Sequence, residues 1–462
     1  MERRQPRECD VLIRNGTVLT MDRERRVIRD GAVAVQGRNI VSVGHDADLA
    51  AEFSAQHVID AKGAVVHPGY IDAHVHVSHA TARGALSDTV GFNDGMLFYA
   101  AWWRELQPFD ERASALSVAT ELLSNGTTCM VEAGTALNPG LVADAAVRVG
   151  IRALVADPWL WDVPNLAGAE DRRIKPSLER SLELVGSQLH RNSDDGLVRG
   201  YVALYGIGTS SDTLVEAGKK AASDAGAIFC QHQSYAHADV ERDRERFGVD
   251  PVLHYDELGV LDDQTMFVHM NLLTEAEVDA VGQSGMGVVA CVSSEMSWGT
   301  GGSLVARHDE LHHRGVPVAL GCDSANSALR WDTSEQALLA LLTARERRKS
   351  REAMTALDAL ELLTVRAATA IGLGDIIGSL EDGKRADIVV RSNDELIANP
   401  VADVFQNLVL TQRSATVHTV LVDGQVVVDA GRPVRVDTRE VVELVRESAS
   451  AMLGRIGLDS AA

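Results

Sequence analysis

Apolar and polar residues alternate in short stretches near both ends of the chain. "DVLIRNGTVLTMD" (10–22) and "GAVAVQGRNIVSVG" (31–44) read as strands, with Asn-Gly and Gly-Arg-Asn at the turns. The same texture returns in "RADIVVRS" (385–392) and "TVHTVLVDGQVVVDAGRPV" (416–434), where Asp-Gly supplies a hairpin turn. Strands of one texture at opposite ends predict a single small β-sandwich built from both termini. Its halves are expected at 1–66 and 373–435. "DTREVVELVRESASAMLGRIG" follows, with Asp437 and Glu440 in capping-box spacing and an apolar stripe. Over 436–462 this predicts a helix packed on the body or on a partner subunit.

The middle, 67–372, has another rhythm. Eight short apolar runs, "VVHPGYIDAHVHV", "GTTCMVEAGT", "GIRALVADPW", "VRGYVALYG", "GAIFCQHQS", "TMFVHMN", "GMGVVACVSS" and "GVPVALGCDS", are separated by longer amphipathic segments such as "TEAEVDAVGQSG". Eight β-then-α units predict an α/β fold, a (β/α)8 barrel of the TIM type. In that architecture chemistry sits at the C-terminal ends of the strands, so reactive residues should terminate these runs.

They do. His74 and His76 close the first run, two residues apart, which on a strand turns both imidazoles into the same barrel mouth. His232 ends "AIFCQH", His269 ends "TMFVH" and Asp323 ends "VALGCD". Any one of these reads equally as a hydrogen-bonded core residue. Metal-ligand residue types at four separate strand ends make that bland reading a chain of coincidences. Neutral imidazoles with a carboxylate suit Zn²⁺, and also cobalt, iron or manganese.

Charge and cysteine content narrow the class. A formal net charge of −22, from 44 basic and 66 acidic residues, argues against nucleic acid and anionic membrane as partners. No apolar run approaches the ~18 residues of a membrane span, and no apolar core follows the basic N-terminus as in a signal peptide. Five scattered cysteines, none in CxxC spacing, fit reduced thiols in a cytoplasm.

Taken together, "HPGYIDAHVHV", "NGTTCMVE", His232, "VHMNLLTEAEV", "GVPVALGCDS" and "GSLEDGKRADIVV" resemble the amidohydrolase superfamily over nearly the whole chain, most closely its branch of cytosine deaminase and s-triazine hydrolases. The resemblance implies that His74, His76, His232 and Asp323 hold the metal, and that Asp323 and His269 serve as acid/base groups. It also implies a homo-oligomer, dimer or tetramer. None of the six lysines ends a strand, and "YVALYGIG" offers no carboxylate. One divalent ion per subunit is therefore expected, zinc first.

The pattern breaks at one position. Deaminases of this branch carry a Glu three residues after the fifth-strand His, where this chain has Tyr235 in "HQSYAHAD". Tyr, with an unperturbed pKa of about 10, is a poor acid for protonating a ring nitrogen. Glu132, Asp239 or Glu295 is one way to fill the gap. The alternative, taken here as the expectation, is an ordinary carbonyl electrophile (amide, urea, carbamate or thiocarbamate), as in the similar phenylurea and molinate hydrolases, with Tyr235 as a catalytic hydrogen-bond donor. An aminohydrolase or dechlorinase acting on an N-heterocycle is the second reading. All six tryptophans follow predicted strands, so Trp103, Trp159 and Trp298, with His79 and Asn326, are the candidate contacts to a small, largely apolar substrate.

Overall fold

A computed structural model describes residues 6–328 and 330–458. The terminal segments form β1 (Arg7–Leu19), β2 (Val27–Gln36), β3 (Asn39–His45), β4 (Phe53–Asp60) and β5 (Val65–Pro68). The chain re-enters the same sheet after the barrel. The barrel strands are β6 (Tyr70–Val75), β7 (Thr127–Glu132), β8 (Arg152–Val155), β9 (Val198–Gly200), β10 (Val202–Gly206), β11 (Phe229–Gln233), β12 (Thr265–His269), β13 (Gly287–Ala290) and β14 (Val318–Leu320). The returning strands are β15 (Ile388–Arg391), β16 (Val417–Val422), β17 (Gln425–Asp429) and β18 (Arg432–Pro433).

The two ends build one nine-stranded mixed sheet, in the order β18-β17-β16-β15-β5-β1-β2-β3, with β4 also paired to β1. β1 serves two partners because it breaks at Asn15, whose φ of 54° is left-handed. Its first half pairs with β4 and its second with β5. Val33 and Val35 of β2 share a core with Ile388 and Val390 of β15, so the sheet curls over itself and the two chain ends bury one another.

Nine named strands make the eight of the barrel, because β9 and β10 are one run interrupted at Tyr201. All pair in parallel, and a bridge between Val75 and Asp323 closes the ring. Ala73, Val131, Ala203, Cys230, Val268 and Ala319 fill the interior, as small and branched side chains do in such barrels. All five cysteines are buried free thiols. The run read as one strand from Val65 to Val77 divides. Val65–Pro68 belongs to the sheet, and the barrel begins after Gly69, where a Cβ would stand 2.0 Å from Thr128 Oγ1. Only glycine permits that approach.

Helices form where periodicity and caps agree. Glu275–Ser284 starts on a capping box between Thr274 and Glu277 and stops at Gly285, with φ 81°. The C-terminal helix Thr438–Arg455 is capped by Asp437, which accepts from the N–H of Arg439. It packs on the body, where Ser448 donates to Asp110 on helix Pro108–Ser124 at 2.7 Å. Among the described residues no helix is long and apolar enough to cross a membrane.

One buried ion pair clamps sheet to barrel. Arg152 on β8 makes two parallel bonds of 3.0 Å to Asp387, just before β15, and a third of 3.1 Å to Asp423 in the β16–β17 turn. Arg152→Met leaves Asp387 without its guanidinium and is expected to cost about 3–5 kcal/mol of stability. Denaturant unfolding measures this, and an unmoved midpoint contradicts the clamp.

Candidate metal centre and cleft

β6 delivers His74, and His76 follows one residue past its end, at the start of the 3₁₀ turn Val77–Ala82. Their Nε2 atoms lie 3.3 Å apart. His232 on β11 brings its Nε2 to 3.1 Å from that of His74 and 3.3 Å from that of His76. Asp323 Oδ1 stands 3.1 Å from His76 Nε2 and 3.8 Å from His74 Nε2. All four side chains are buried.

Three imidazole nitrogens and a carboxylate oxygen converging at this spacing make the donor set of a metal site. His232 Nδ1 donates to the Tyr205 carbonyl (2.6 Å), and His76 Nδ1 meets Thr135 Oγ1 (2.9 Å), which leaves both Nε2 lone pairs turned inward. Donor atoms held about 2.0–2.2 Å from a tetrahedral centre are about 3.3–3.6 Å apart, close to the spacing here. The residues present therefore fit a divalent metal. Burial pushes the His74 and His232 imidazoles well below their ordinary range, so both are neutral. Burial alone pulls the Asp323 carboxyl up, but the hydrogen bond to His76 and the imidazoles of His76, His269 and His74 outweigh it and hold Asp323 ionised. His269, Cys291 and Asp323 form a looser group, donors within 4.8 Å, and burial pushes the Cys291 thiol well up.

Behind these groups stand two buried carboxylates. Glu132 accepts from the backbone N–H groups of Gly134, Thr135 and Ala136 (3.0–3.1 Å), which fixes the loop carrying Thr135 under His76. Asp72 accepts from the N–H groups of His74 and Cys322 (3.2 Å) and from Thr333 (3.0 Å). It ties the first strand to the residue preceding Asp323. Burial raises both carboxyls to about 6. Asp72 escaped the sequence reading, although an acid inside the apolar run "GYIDAHV" was its signal.

Backbone strain gathers on this face. Trp159, Ile207, Ser234, His269, Met270 and Asp323 all have φ between 46° and 74° at or after strand ends. Each such non-glycine residue costs roughly 1–3 kcal/mol, and such residues cluster at functional sites.

Above the four candidate ligands opens a narrow cleft of about 40 Å³. Helix Phe92–Glu105, in the first loop, turns Phe92, Met96, Tyr99 and Trp103 into it at helical spacing. Tyr205 and Trp298 complete the apolar wall. His269 lines the cleft at the end of β12, its ring 4.3 Å from that of Tyr235. Burial pushes the Tyr235 hydroxyl well up, and it meets Ser294 Oγ at 3.2 Å. His79 is buried against Tyr99, ring centroids 4.2 Å apart, and neither of its ring nitrogens has a partner among the described residues.

Trp103, Trp298 and His79 thus line the cleft, as does Tyr235. Trp159 and Asn326 do not. Trp159 stacks on Tyr205 one layer behind (4.6 Å), and Asn326 is spent on Tyr99 and the N–H of Gly84. Of the three acids weighed as replacements at position 235, Glu132 is saturated by backbone, and Asp239 caps its own helix at the N–H of Ala236 and pairs with Arg242. Glu295 alone reaches the cleft residues, 3.5 Å from His269 Nδ1.

Residues 65–427 match the model of the amidohydrolase family. The chain is similar to 5-methylthioadenosine/S-adenosylhomocysteine deaminase of Syntrophobacter fumaroxidans, 30% identical over 447 residues, covering 95% of this chain and 97% of that one. An adenosine deaminase from Xanthomonas campestris with bound zinc superposes with a TM-score of 0.90 at 25% identity, covering 97% and 100%. Atrazine chlorohydrolase from Arthrobacter aurescens, complexed with zinc, superposes at 0.85 and 24% identity, covering 95% and 100%.

Because burial keeps His74 and His232 neutral, protons do not compete for them near pH 7. Metal affinity is expected to stay level from pH 8 down to about 6.5, the ordinary His value, and to weaken only below it. Titration calorimetry of chelator-stripped protein tests this. Affinity already falling between pH 8 and 7 contradicts neutral ligands, and His74→Ala should abolish the binding.

Proposed function

Because the chain belongs to the amidohydrolase family, we propose that it is a metal-dependent aminohydrolase that removes the exocyclic amino group of an N-heterocycle. Adenine-type rings are the first class to test and triazines the second. The observation that carries this reading is near full-length similarity to a relative named as a deaminase of thioadenosine-type nucleosides. It replaces the expectation drawn from Tyr235 alone. An amide, urea, carbamate or thiocarbamate electrophile needs no ring proton, but the relatives named here do not support it, and the cleft holds another proton-carrying group in His269.

One ion per subunit, zinc in this reading, would be held by His74, His76, His232 and Asp323. When bound, such a cation lowers the pKa of a coordinated water towards neutrality. The chain's own groups do the rest. Aromatic faces of Tyr99, Trp103, Phe92 and Trp298 hold a flat ring over the metal ligands and exclude solvent. Asp323 takes one proton from the attacking water and passes it to the amino group, which leaves as ammonia. His269 faces the reacting carbon, and the Tyr235 hydroxyl donates a hydrogen bond to the bound ring. Asp323 is the one carboxylate among the described residues lining the cleft, so a sugar diol would find serine hydroxyls and His79 rather than an acid. Five separate buried thiols fit a cytoplasmic enzyme.

A panel of adenine, adenosine, 5′-thioadenosines and aminotriazines against ureas, carbamates and thiocarbamates tests the reading. Ammonia release from the heterocycles is expected, and hydrolysis confined to the carbonyl compounds would sink it. His269→Ala should lower kcat about 10²–10⁴-fold with metal content unchanged; full turnover removes His269 from the chemistry.

A further inference from the structure

We infer that Glu295 is the positioning residue that makes His269 the proton donor and acceptor of this site. The inference rests on the aminohydrolase reading, since attack on a ring carbon requires a proton at the neighbouring ring nitrogen.

Few groups in the cleft can carry that proton. His76, His232 and Asp323 are the metal ligands. Burial raises the hydroxyls of Tyr99 and Tyr205 to about 12 and pushes that of Tyr235 well above its ordinary value. Neither ring nitrogen of His79 has a hydrogen-bond partner among the described residues. Beside His269 stands a carboxylate. Glu295 sits on the short helix Val292–Ser297 after β13 and is 2% exposed. Its Oε1 lies 3.5 Å from His269 Nδ1, and neither atom has a hydrogen-bond partner among the described residues. No Lys or Arg among those residues pairs with Glu295. Gly302 closes over it, where a Cβ would come within 3.0 Å of Glu295 Cγ and 2.9 Å of Asn271 Nδ2. The buried Glu295 carboxylate has the His269 imidazole as its one ion-pair partner among the described residues, so it is placed to orient that ring. With Nδ1 turned towards Glu295 at 3.5 Å, Nε2 of His269 is the nitrogen left for the substrate.

Glu295 also borders a second, small cavity of about 20 Å³ lined by His308, Asp309 and Arg347. The titratable and charged groups facing the pair are therefore Asp323, Tyr235, His74, His232, Asp239 and Cys291 on the barrel side, and His308, Asp309 and Arg347 across this cavity.

The step balances as follows. The water oxygen bonds to the ring carbon while His269 Nε2–H gives its proton to the adjacent ring nitrogen. Glu295 stabilises the imidazolium before this transfer. Asp323 carries one water proton to the amino group, the C–N bond breaks and ammonia leaves. The second water proton returns to the His269–Glu295 pair as the carbonyl forms.

The test compares a neutral heterocycle with its ring-N-methylated cation, which needs no ring proton. Glu295→Gln should keep metal content and melting temperature. Its kcat should fall about 10²–10³-fold on the neutral ring and less than about threefold on the cation. Tyr235→Glu added to Glu295→Gln should restore at least about tenfold on the neutral ring. Equal losses on both substrates, or unchanged turnover, overturn the assignment. If Glu295→Gln does not fold, Glu295→Asp decides: its kcat should fall more on the neutral ring than on the cation, and equal losses on both overturn the assignment. No wild-type turnover of any heterocycle overturns the aminohydrolase reading and this inference with it.

Discussion

A ring of eight strands exists only if the last hydrogen-bonds to the first, and in this protein that bond runs through Asp323. Its N–H donates to the His74 carbonyl at 2.9 Å, and its carbonyl accepts from the His76 N–H at 3.0 Å. Three of the four metal-ligand candidates are therefore neighbours across a single seam of backbone. The seam explains several local oddities at once. Gly321 has no Cβ because one would stand 2.7 Å from His74 Cβ. Asp72 is buried because its carboxylate bridges the first and last strand segments at this point. Asp323 adopts φ 63° because the chain must turn its carboxylate back over the barrel mouth. His232 is the ligand candidate from outside the seam, and the Tyr205 carbonyl holds its ring.

Legibility in the sequence followed periodicity. His74, His232 and His269 stood out because each ends an apolar run, and a polar residue at that place breaks a strong local pattern. Asp323 was visible for the same reason, although it lies three residues beyond the ordered strand Val318–Leu320. The barrel and the shared terminal sheet were legible because parallel buried strands and half-exposed strands have different textures. What could not be read depends on packing between distant segments. Glu132 and Glu295 look alike as acids after strands, yet backbone amides enclose one and the other faces an imidazole. Trp159 and Asn326 follow strands as the cleft residues do, but end in the layer behind. No local pattern distinguishes a side chain that lines a cleft from one that supports it.

The cleft wall has a simple origin. Phe92, Met96, Tyr99 and Trp103 occupy one face of one helix, so a single rotation of that helix would move most of the apolar surface together. Gly95 lets this helix press on Trp298, where a Cβ would be 2.4 Å from the indole. The indole N–H in turn donates to Ser327 at 2.9 Å. Helix, indole and the eighth-strand loop thus share one packing contact, and the shape of the cleft is set by that contact more than by any one aromatic side chain.

The shared terminal sheet has a consequence for synthesis. β5 pairs with β1 on one edge and with β15 on the other. A ribosome makes β1 to β5 before the barrel and β15 after it. Throughout that interval the nascent chain carries an unsatisfied strand edge, the kind of surface that recruits foreign strands. Emergence of β15, after the whole barrel has been made, is the moment at which this protein can hide that edge.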